Sequence, residues 1–240
     1  MNNEQGQPSG LDLRDTRNEG VFMRNEGIFR GILGAVGGLS FLVRAYFMRQ
    51  GSQSGAQIIS RSRSEGLKYV VMVSFSPLAT IAGLAYIIAP ERMRWAALPL
   101  PRWSRWVGAG LYAASLPLFF WSHHTLGENW STSLVIKEQQ TLISGGPYRW
   151  VRHPMYTAII LSSLGSFFLS ANWVLGIGGL GTSILCVARV GEEEVLMVEE
   201  FGDQYRAYMQ HTGQFLPTLR LERILARPLT ERSELNGTPL

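Results

Sequence analysis

The sequence predicts an all-α fold: a polytopic membrane helical bundle of about five transmembrane helices, including a C-terminal helical hairpin, followed by a cytosolic amphipathic helix. Three observations predict it. Residues 69–90, 106–122 and 154–188 contain no Asp, Glu, Lys, Arg or His. Hydrophobic residues make up 46% of the 240 and charged ones only 17%, so the charge is pushed into the connections. Those connections are basic, which suits anionic lipid headgroups better than nucleic acid despite a net charge of +4. A soluble bundle is the rival reading, but soluble helices keep a polar face that these runs lack.

Taken in order, residues 1–27 are polar, have no apolar h-region of the kind a cleavable signal peptide needs, and are expected to form a flexible or surface-lying tail. The first crossing is expected over 31–48, a Gly-rich stretch interrupted by Arg44, whose side chain can snorkel toward the lipid surface. A crossing takes roughly 20 apolar helical residues. The run 69–90 meets that length, and 106–122 reaches it with flanking residues. The run 154–188 is too long for one span and is interrupted at Ser170-Ala171-Asn172, which predicts a hairpin of helices 154–169 and 173–188. Beyond it, apolar residues at 195, 198, 201, 205 and 208 recur at helical spacing, as an amphipathic helix or a pair broken at Gly202. Tyr205 and Tyr208 fall on that stripe and read as packing residues. The organisation is therefore a tail (1–27), three membrane helices (28–125), a C-terminal core (126–217) and a flexible end (218–240).

Five crossings put loops 49–68 and 123–153 and the C-terminal region on one side. Counted from Arg44 at the end of the first crossing, that side holds 14 of the 22 Lys and Arg against 8 on the other, so the positive-inside rule places it in the cytoplasm. Whatever the hairpin's depth, it returns to its starting side. The segment before it and the segment after it must therefore face each other.

The segment before it is the richest in chemistry: Gly145-Gly146-Pro147-Tyr148-Arg149-Trp150-Val151-Arg152-His153-Pro154-Met155-Tyr156. Gly-Gly-Pro is turn chemistry. Proline favours the first helical position, which puts His153 near the N-cap of the first hairpin helix, where free N–H groups favour a carboxylate or phosphate. Alone, His153 reads as a capping or interfacial histidine; beside Arg149, Arg152, Tyr148 and Tyr156 it reads as part of a binding site. Arg152 fits positive-inside anchoring equally well. After the hairpin come Arg189 and Glu192-Glu193-Glu194. Arg189 and Glu193 share a helix face, and as a mere surface pair they would contribute only a few tenths of a kcal/mol, roughly. Three adjacent glutamates beneath a membrane hairpin exceed what solubility requires, and a carboxylate there suits a cationic or hydroxyl-bearing ligand.

Metal chemistry finds few ligands. Histidines stand only at 123, 124, 153 and 211, and His123-His124 is most simply an interfacial cap. The one cysteine, Cys186, cannot form an intrachain disulfide and reads as a packed thiol.

These residues resemble the membrane-embedded methyltransferases typified by isoprenylcysteine carboxyl methyltransferase, a superfamily shared with phospholipid N-methyltransferases. The resemblance covers roughly 126–217. It runs through Leu126-Gly127-Glu128-Asn129-Trp130-Ser131, Leu142-Ile143-Ser144-Gly145-Gly146-Pro147-Tyr148-Arg149 and Val151-Arg152-His153-Pro154-Met155-Tyr156 to Arg189, Glu193-Glu194, Phe201-Gly202, Tyr205, Tyr208 and Pro217. It implies metal-free methyl transfer from S-adenosylmethionine at the cytoplasmic face of an integral, multi-pass membrane protein. The acceptor would be lipophilic or membrane-associated: an isoprenylcysteine carboxylate, a lipid amine or a thiol. The partners it implies are the lipid bilayer and a lipophilic or lipidated substrate, with no nucleic acid. Carried over by position, cofactor contacts fall to Gln140, Thr141, Leu142, Ile143, Tyr148, His153, Pro154, Met155, Tyr156 and Glu193. Arg189 faces substrate, and Arg189 and Glu193 form the catalytic pair. Gln140 stands where many relatives carry histidine, and the turn has one more glycine than the common Ser-Gly-Pro-Tyr. Two other readings stand beside it: an NADPH-dependent sterol-reductase-like enzyme, and a non-catalytic membrane protein.

Overall fold

The computed structural model describes residues 12–53, 58–61, 80–127, 135–137 and 141–218. Helices dominate: α1 (Asp12–Gln53), α2 (80–88), α3 (Arg102–Leu126), α4 (Pro154–Ser170), α5 (Trp173–Phe201) and α6 (Asp203–His211). One short ribbon, β1 (Ile58–Arg61) antiparallel to β2 (Val135–Lys137), is added to the expected all-α architecture. Among the described residues, two helices are long and apolar enough to cross a membrane, Glu26–Arg49 within α1 and Trp173–Phe201; Pro154–Ser170 is a shorter apolar helix. The first half of the predicted span 69–90 lies outside the described residues, which resume at Thr80.

The hairpin forms where the sequence places it. Pro154 opens α4, and α4 ends on Ala171 in the left-handed conformation (φ 48°). Asn172 then caps α5, its Oδ1 accepting from the N–H of Val174 at 3.0 Å. The turn is tied down from outside, since the Leu98 N–H donates to the Ala171 carbonyl at 2.7 Å. α1 starts at Asp12, so residues 12–27 of the expected tail are helical. One expectation is corrected. The second hairpin arm does not end at 188 but continues unbroken to Phe201; polar residues such as Glu192 to Glu194 are good helix formers, so losing apolarity does not end the helix. Only its 173–188 portion is free of charge, and 189–201 extends past it.

Small residues let these helices meet at backbone distance, as packing in lipid favours. A Cβ on Gly108 would lie 2.4 Å from the Leu169 nitrogen, and one on Gly165 would lie 2.5 Å from the Tyr112 nitrogen. Contacts along the bundle define two ends. At one end Phe29 sits edge-on to Trp106 (5.2 Å), and the Arg105 guanidinium pairs with Glu26 and donates to the Leu169 carbonyl at 2.9 Å. At the other, Phe47 packs on Phe120 and His123 (5.9 and 5.3 Å). The collar lies at this second end, since Gly146 abuts Thr125 and Trp121. Large apolar side chains such as Phe41, Leu42, Ile177 and Leu180 cover the outside, as a lipid-facing surface would show.

Candidate functional site

Two segments far apart in sequence assemble the site. A short 3-10 turn, Gly146–Arg149, brings the chain off α3 toward α4. Gly146 has φ 56°, and a Cβ there would meet Thr125 Oγ1 at 2.7 Å, so the extra glycine is what allows the turn to lie against α3. Pro147 and Tyr148 are buried beneath it, while Arg149 and Trp150 stay exposed, the guanidinium 5.0 Å from the indole centroid.

Beyond the turn, the chain pairs with residues after α6. The Arg152 N–H donates to the Gly213 carbonyl (2.7 Å) and the His153 N–H to the Gln214 carbonyl (3.0 Å). Tyr208 of α6 donates its hydroxyl to the Tyr148 carbonyl at 2.6 Å. Gly213 also lets the segment after α6 fold back tightly on itself, since a Cβ there would fall 1.8 Å from the Leu216 carbonyl oxygen. The sequence reading named neither Thr212, Gly213 nor Gln214; the only available signal was a small residue between a helix end and Pro217.

Side chains tie the same two segments together. Arg152 Nε donates to Glu194 Oε1 at 2.8 Å, and its Nη1 donates to the carbonyls of Met209 and Thr212. His153 is the backbone N-cap of α4, but its side chain does not cap. The ring lies between two carboxylates instead, Nε2 at 3.1 Å from Glu194 Oε1 and Nδ1 at 3.8 Å from Glu193 Oε1. Tyr156 stacks on it (5.7 Å, 18° between planes) and donates its hydroxyl to Glu193 Oε2 at 2.8 Å. Cys186 and Val190 pack behind Tyr156, and buried Arg189 is near enough for its charge to act on that tyrosine.

Charge and burial set the protonation of the collar. Burial opposes the charge on Glu194, but hydrogen bonds from His153 and Arg152 outweigh it and hold the carboxyl down at about 2. Burial pushes the Tyr148 phenol well above its ordinary range, with Glu193 and Tyr208 adding to the rise. Tyr208 goes up to about 12 by burial, partly offset by Arg152. Both phenols therefore remain donors at neutral pH.

Of the predicted site residues, His153, Tyr156 and Glu193 are in one contact network with Glu194 and Arg152, and Arg189 borders it. Pro154 is buried at the start of α4, and Met155 is half-buried beside it. Tyr148 joins through Tyr208. Thr141, Leu142 and Ile143 form an irregular approach to the turn, with Thr141 exposed; Gln140 lies outside the described residues. A separate apolar cavity of about 470 Å³, lined by Leu164, Phe167, Trp173 and Ile177 among others, opens between α4 and α5 and contains no ionisable group. Among the described residues no cluster of His, Cys, Asp and Glu is suited to a metal.

Residues 108–199 match the family model for the isoprenylcysteine carboxyl methyltransferase (ICMT) family. The human protein-S-isoprenylcysteine O-methyltransferase is 29% identical over 84 residues, 35% of this chain and 30% of its own length. A methanethiol S-methyltransferase of Pseudomonas deceptionensis is 33% identical over 75 residues, 30% of this chain and 27% of its own. An uncharacterized protein of Bacillus subtilis, YpbQ, is 32% identical over 62 residues, 25% of this chain and 37% of its own. The matches thus span about a third of these relatives (27% to 37%). A solved structure of the eukaryotic intramembrane Ras methyltransferase ICMT superposes with a TM-score of 0.47 at 19% identity, covering 78% of this chain and 68% of that one.

Proposed function

We propose that this chain, whose residues 108–199 match the ICMT family model, is an ICMT-like membrane methyltransferase that transfers a methyl group from S-adenosylmethionine to a lipophilic acceptor at the cytoplasmic face of a membrane. The observation that carries the proposal is the joining of His153 and Tyr156 to Glu193 and Glu194 at one end of an apolar hairpin. An acceptor held in lipid and a cofactor drawn from water can meet only at such a boundary.

The residues present fit the cofactor. S-adenosylmethionine supplies an electrophilic methyl group on a sulfonium centre, together with an amino group, a carboxylate and a flat base. Glu193 keeps about a third of its side chain accessible, enough for an ammonium or ribose hydroxyl. The first turn of α4 has no side-chain cap, which leaves its N–H groups suited to a carboxylate. The Tyr156 ring offers an aromatic face of the kind that attracts a cation. Glu194 fixes His153 and Arg152, so the collar is rigid before ligands arrive. Arg189 positions the acceptor, Tyr156 holds Glu193 in place, and the buried walls exclude water. The isoprenylcysteine carboxylate, a lipid amine and a thiol are the acceptor classes in view.

The test is methyl transfer by protein purified in lipid nanodiscs, using radiolabelled S-adenosylmethionine and a panel of N-acetyl-S-farnesylcysteine, phosphatidylethanolamine and methanethiol. Transfer to at least one is expected, with loss of about 100-fold or more in Glu193→Ala and Arg189→Ala, as when a transition-state contact is removed. No transfer to any acceptor, together with no saturable cofactor binding, would overturn the proposal.

A further inference from the structure

Helices α4 and α5 form a groove that methyl transfer at the collar leaves unused. They meet at small residues: a Cβ on Gly176 would lie 2.5 Å from the Phe167 ring, and one on Gly179 would lie 3.0 Å from the Ser163 side chain. Larger neighbours stand up on either side of this seam. The apolar cavity of about 470 Å³ runs between Leu164 and Phe167 on α4 and Trp173, Ile177 and Leu180 on α5. That volume falls within the range of ligand sites, roughly 300–1,000 Å³. Ile177 and Leu180 are more than half exposed, so the groove opens onto the lipid-facing outside of the bundle.

Its length is that of one leaflet. Along α5 the lining runs from Trp173 to Ser183, about 15 Å of helix, and half of a bilayer core about 30 Å thick is the same distance. Another stretch of about 15 Å separates Ser183 from Glu193, so the groove begins at the hairpin turn and stops short of the collar. The turn end has a basic rim. Residues 93–98 are tied to the turn: Asn172 Nδ2 donates to the Met93 carbonyl at 3.3 Å, and the Leu98 N–H to the Ala171 carbonyl at 2.7 Å. Trp95 packs edge-on to Trp173 at 5.2 Å, and Leu98 lines the groove itself. Arg92 and Arg94 flank Met93, while Arg102 opens α3 nearly a turn outside Arg105, the residue bonded to the Leu169 carbonyl. Arg92, Arg94 and Arg102 are all exposed. Glu91, which pairs with Arg94 at 2.7 Å, is the only carboxylate in residues 90–105. The rim thus keeps a net positive charge beside two tryptophans, a composition suited to lipid headgroups.

We propose that this groove binds an anionic phospholipid of the leaflet opposite the collar, with one acyl chain lying between α4 and α5 and the phosphate held by Arg92 and Arg102. Charge selects this occupant. A second copy docked symmetrically through its own groove would bring a second set of arginines to the same rim, whereas a phospholipid fills the groove and neutralises the rim together. The bound lipid braces the hairpin whose far end carries Glu193 and Glu194, and its site is distinct from any held by a methyl acceptor at the collar.

The experiment is native mass spectrometry of the full chain in detergent, with dioleoyl phosphatidylglycerol and dioleoyl phosphatidylcholine offered in equal amounts. At about 1 kcal/mol for each arginine near a headgroup, two arginines correspond to a preference of about 30-fold for the anionic lipid in the first-bound position. Either single change, Arg92→Gln or Arg102→Gln, should leave about fivefold, and the double change should bring the two lipids within about twofold of each other. Ser183→Phe puts a ring into the inner end of the groove and should lower retention of both lipids by about fivefold or more, through lost packing. Equal retention of the two lipids by the wild type overturns the proposal. So does an anionic preference that survives the double change, which would place the headgroup elsewhere. Retention of both lipids unchanged in Ser183→Phe removes the acyl chain from the groove and the site with it. A lipid-free dimer that Ser183→Phe dissociates would make a second copy the occupant, again overturning the proposal. If Ser183→Phe fails to fold, Ile177→Ala with Leu180→Ala, at two exposed positions of one wall, decides in its place, and retention equal to the wild type counts against. No step of the assay uses methyl transfer, so its outcome is separate from that of the methyltransferase reading.

Discussion

Replacing Glu194 by alanine removes one carboxylate and strands two partners. Its Oε1 accepts from Arg152 Nε at 2.8 Å and sits 3.1 Å from His153 Nε2, with the carboxylate 13% accessible and the histidine 4%. Breaking a buried ion pair by removing one partner costs about 3–5 kcal/mol, because the other charge stays buried without compensation. Arg152 keeps its bonds to the Met209 and Thr212 carbonyls, which places the expected cost at the lower end, about 3 kcal/mol. Glu194→Gln retains an acceptor oxygen and should cost about 1–2 kcal/mol. The protein carries its own reporter, since Cys186 is the sole cysteine, is 2% accessible and packs against Tyr156 and Val190. Its labelling by a small maleimide at constant pH requires the collar and hairpin to open. If opening is a rapid pre-equilibrium, about 3 kcal/mol becomes a labelling rate roughly 100-fold faster in Glu194→Ala, at 1.4 kcal/mol per tenfold. Glu194→Gln should rise by about tenfold. Labelling of Glu194→Ala within about twofold of wild type would refute the idea that this carboxylate joins the two segments.

Acid should act through the same group. The Glu194 carboxyl is held at about 2, below the ordinary glutamate value of about 4.3, so its stabilisation is complete above the ordinary value and is lost as pH falls through about 2. Melting temperature by near-UV circular dichroism should fall more steeply in wild type than in Glu194→Gln between roughly pH 4 and pH 2. Gly213→Ala places a methyl group where a carbonyl oxygen 1.8 Å away leaves no room, so the strand receiving Arg152 and His153 must shift. A destabilisation of about 1–3 kcal/mol or more is expected in urea unfolding, with methyl transfer falling alongside. Tyr208→Phe leaves the buried Tyr148 carbonyl without its 2.6 Å donor, and should cost about 1–2 kcal/mol in the same measurement.

The hairpin was legible because its signals are local. Pro154 starts a helix, Ser170-Ala171-Asn172 stops one, and no charge intervenes. The convergence of collar and glutamates followed from that U-turn alone. What escaped the sequence lacks a local signature. Hydropathy ends at Ala188 while the helix does not, because helix propensity and apolarity are different properties and Glu192 to Glu194 satisfy only the first. The pairing of 152 and 153 with 213 and 214 is too short to carry a period. The Glu26–Arg105 pair joins residues 79 apart, each of which reads alone as an interfacial charge. Arg152 was divided between anchoring and site, and only its three partners decide where it belongs.

The unbroken course of α5 makes it a lever. Its 29 residues correspond to about 43 Å of rod, with Asn172 at the base and Glu193 and Glu194 most of the way along. A rod without a joint cannot lift its foot and leave its head in place. A bilayer that is thicker or thinner than the hairpin prefers will therefore tilt both ends together, and the carboxylates will ride with the lipid.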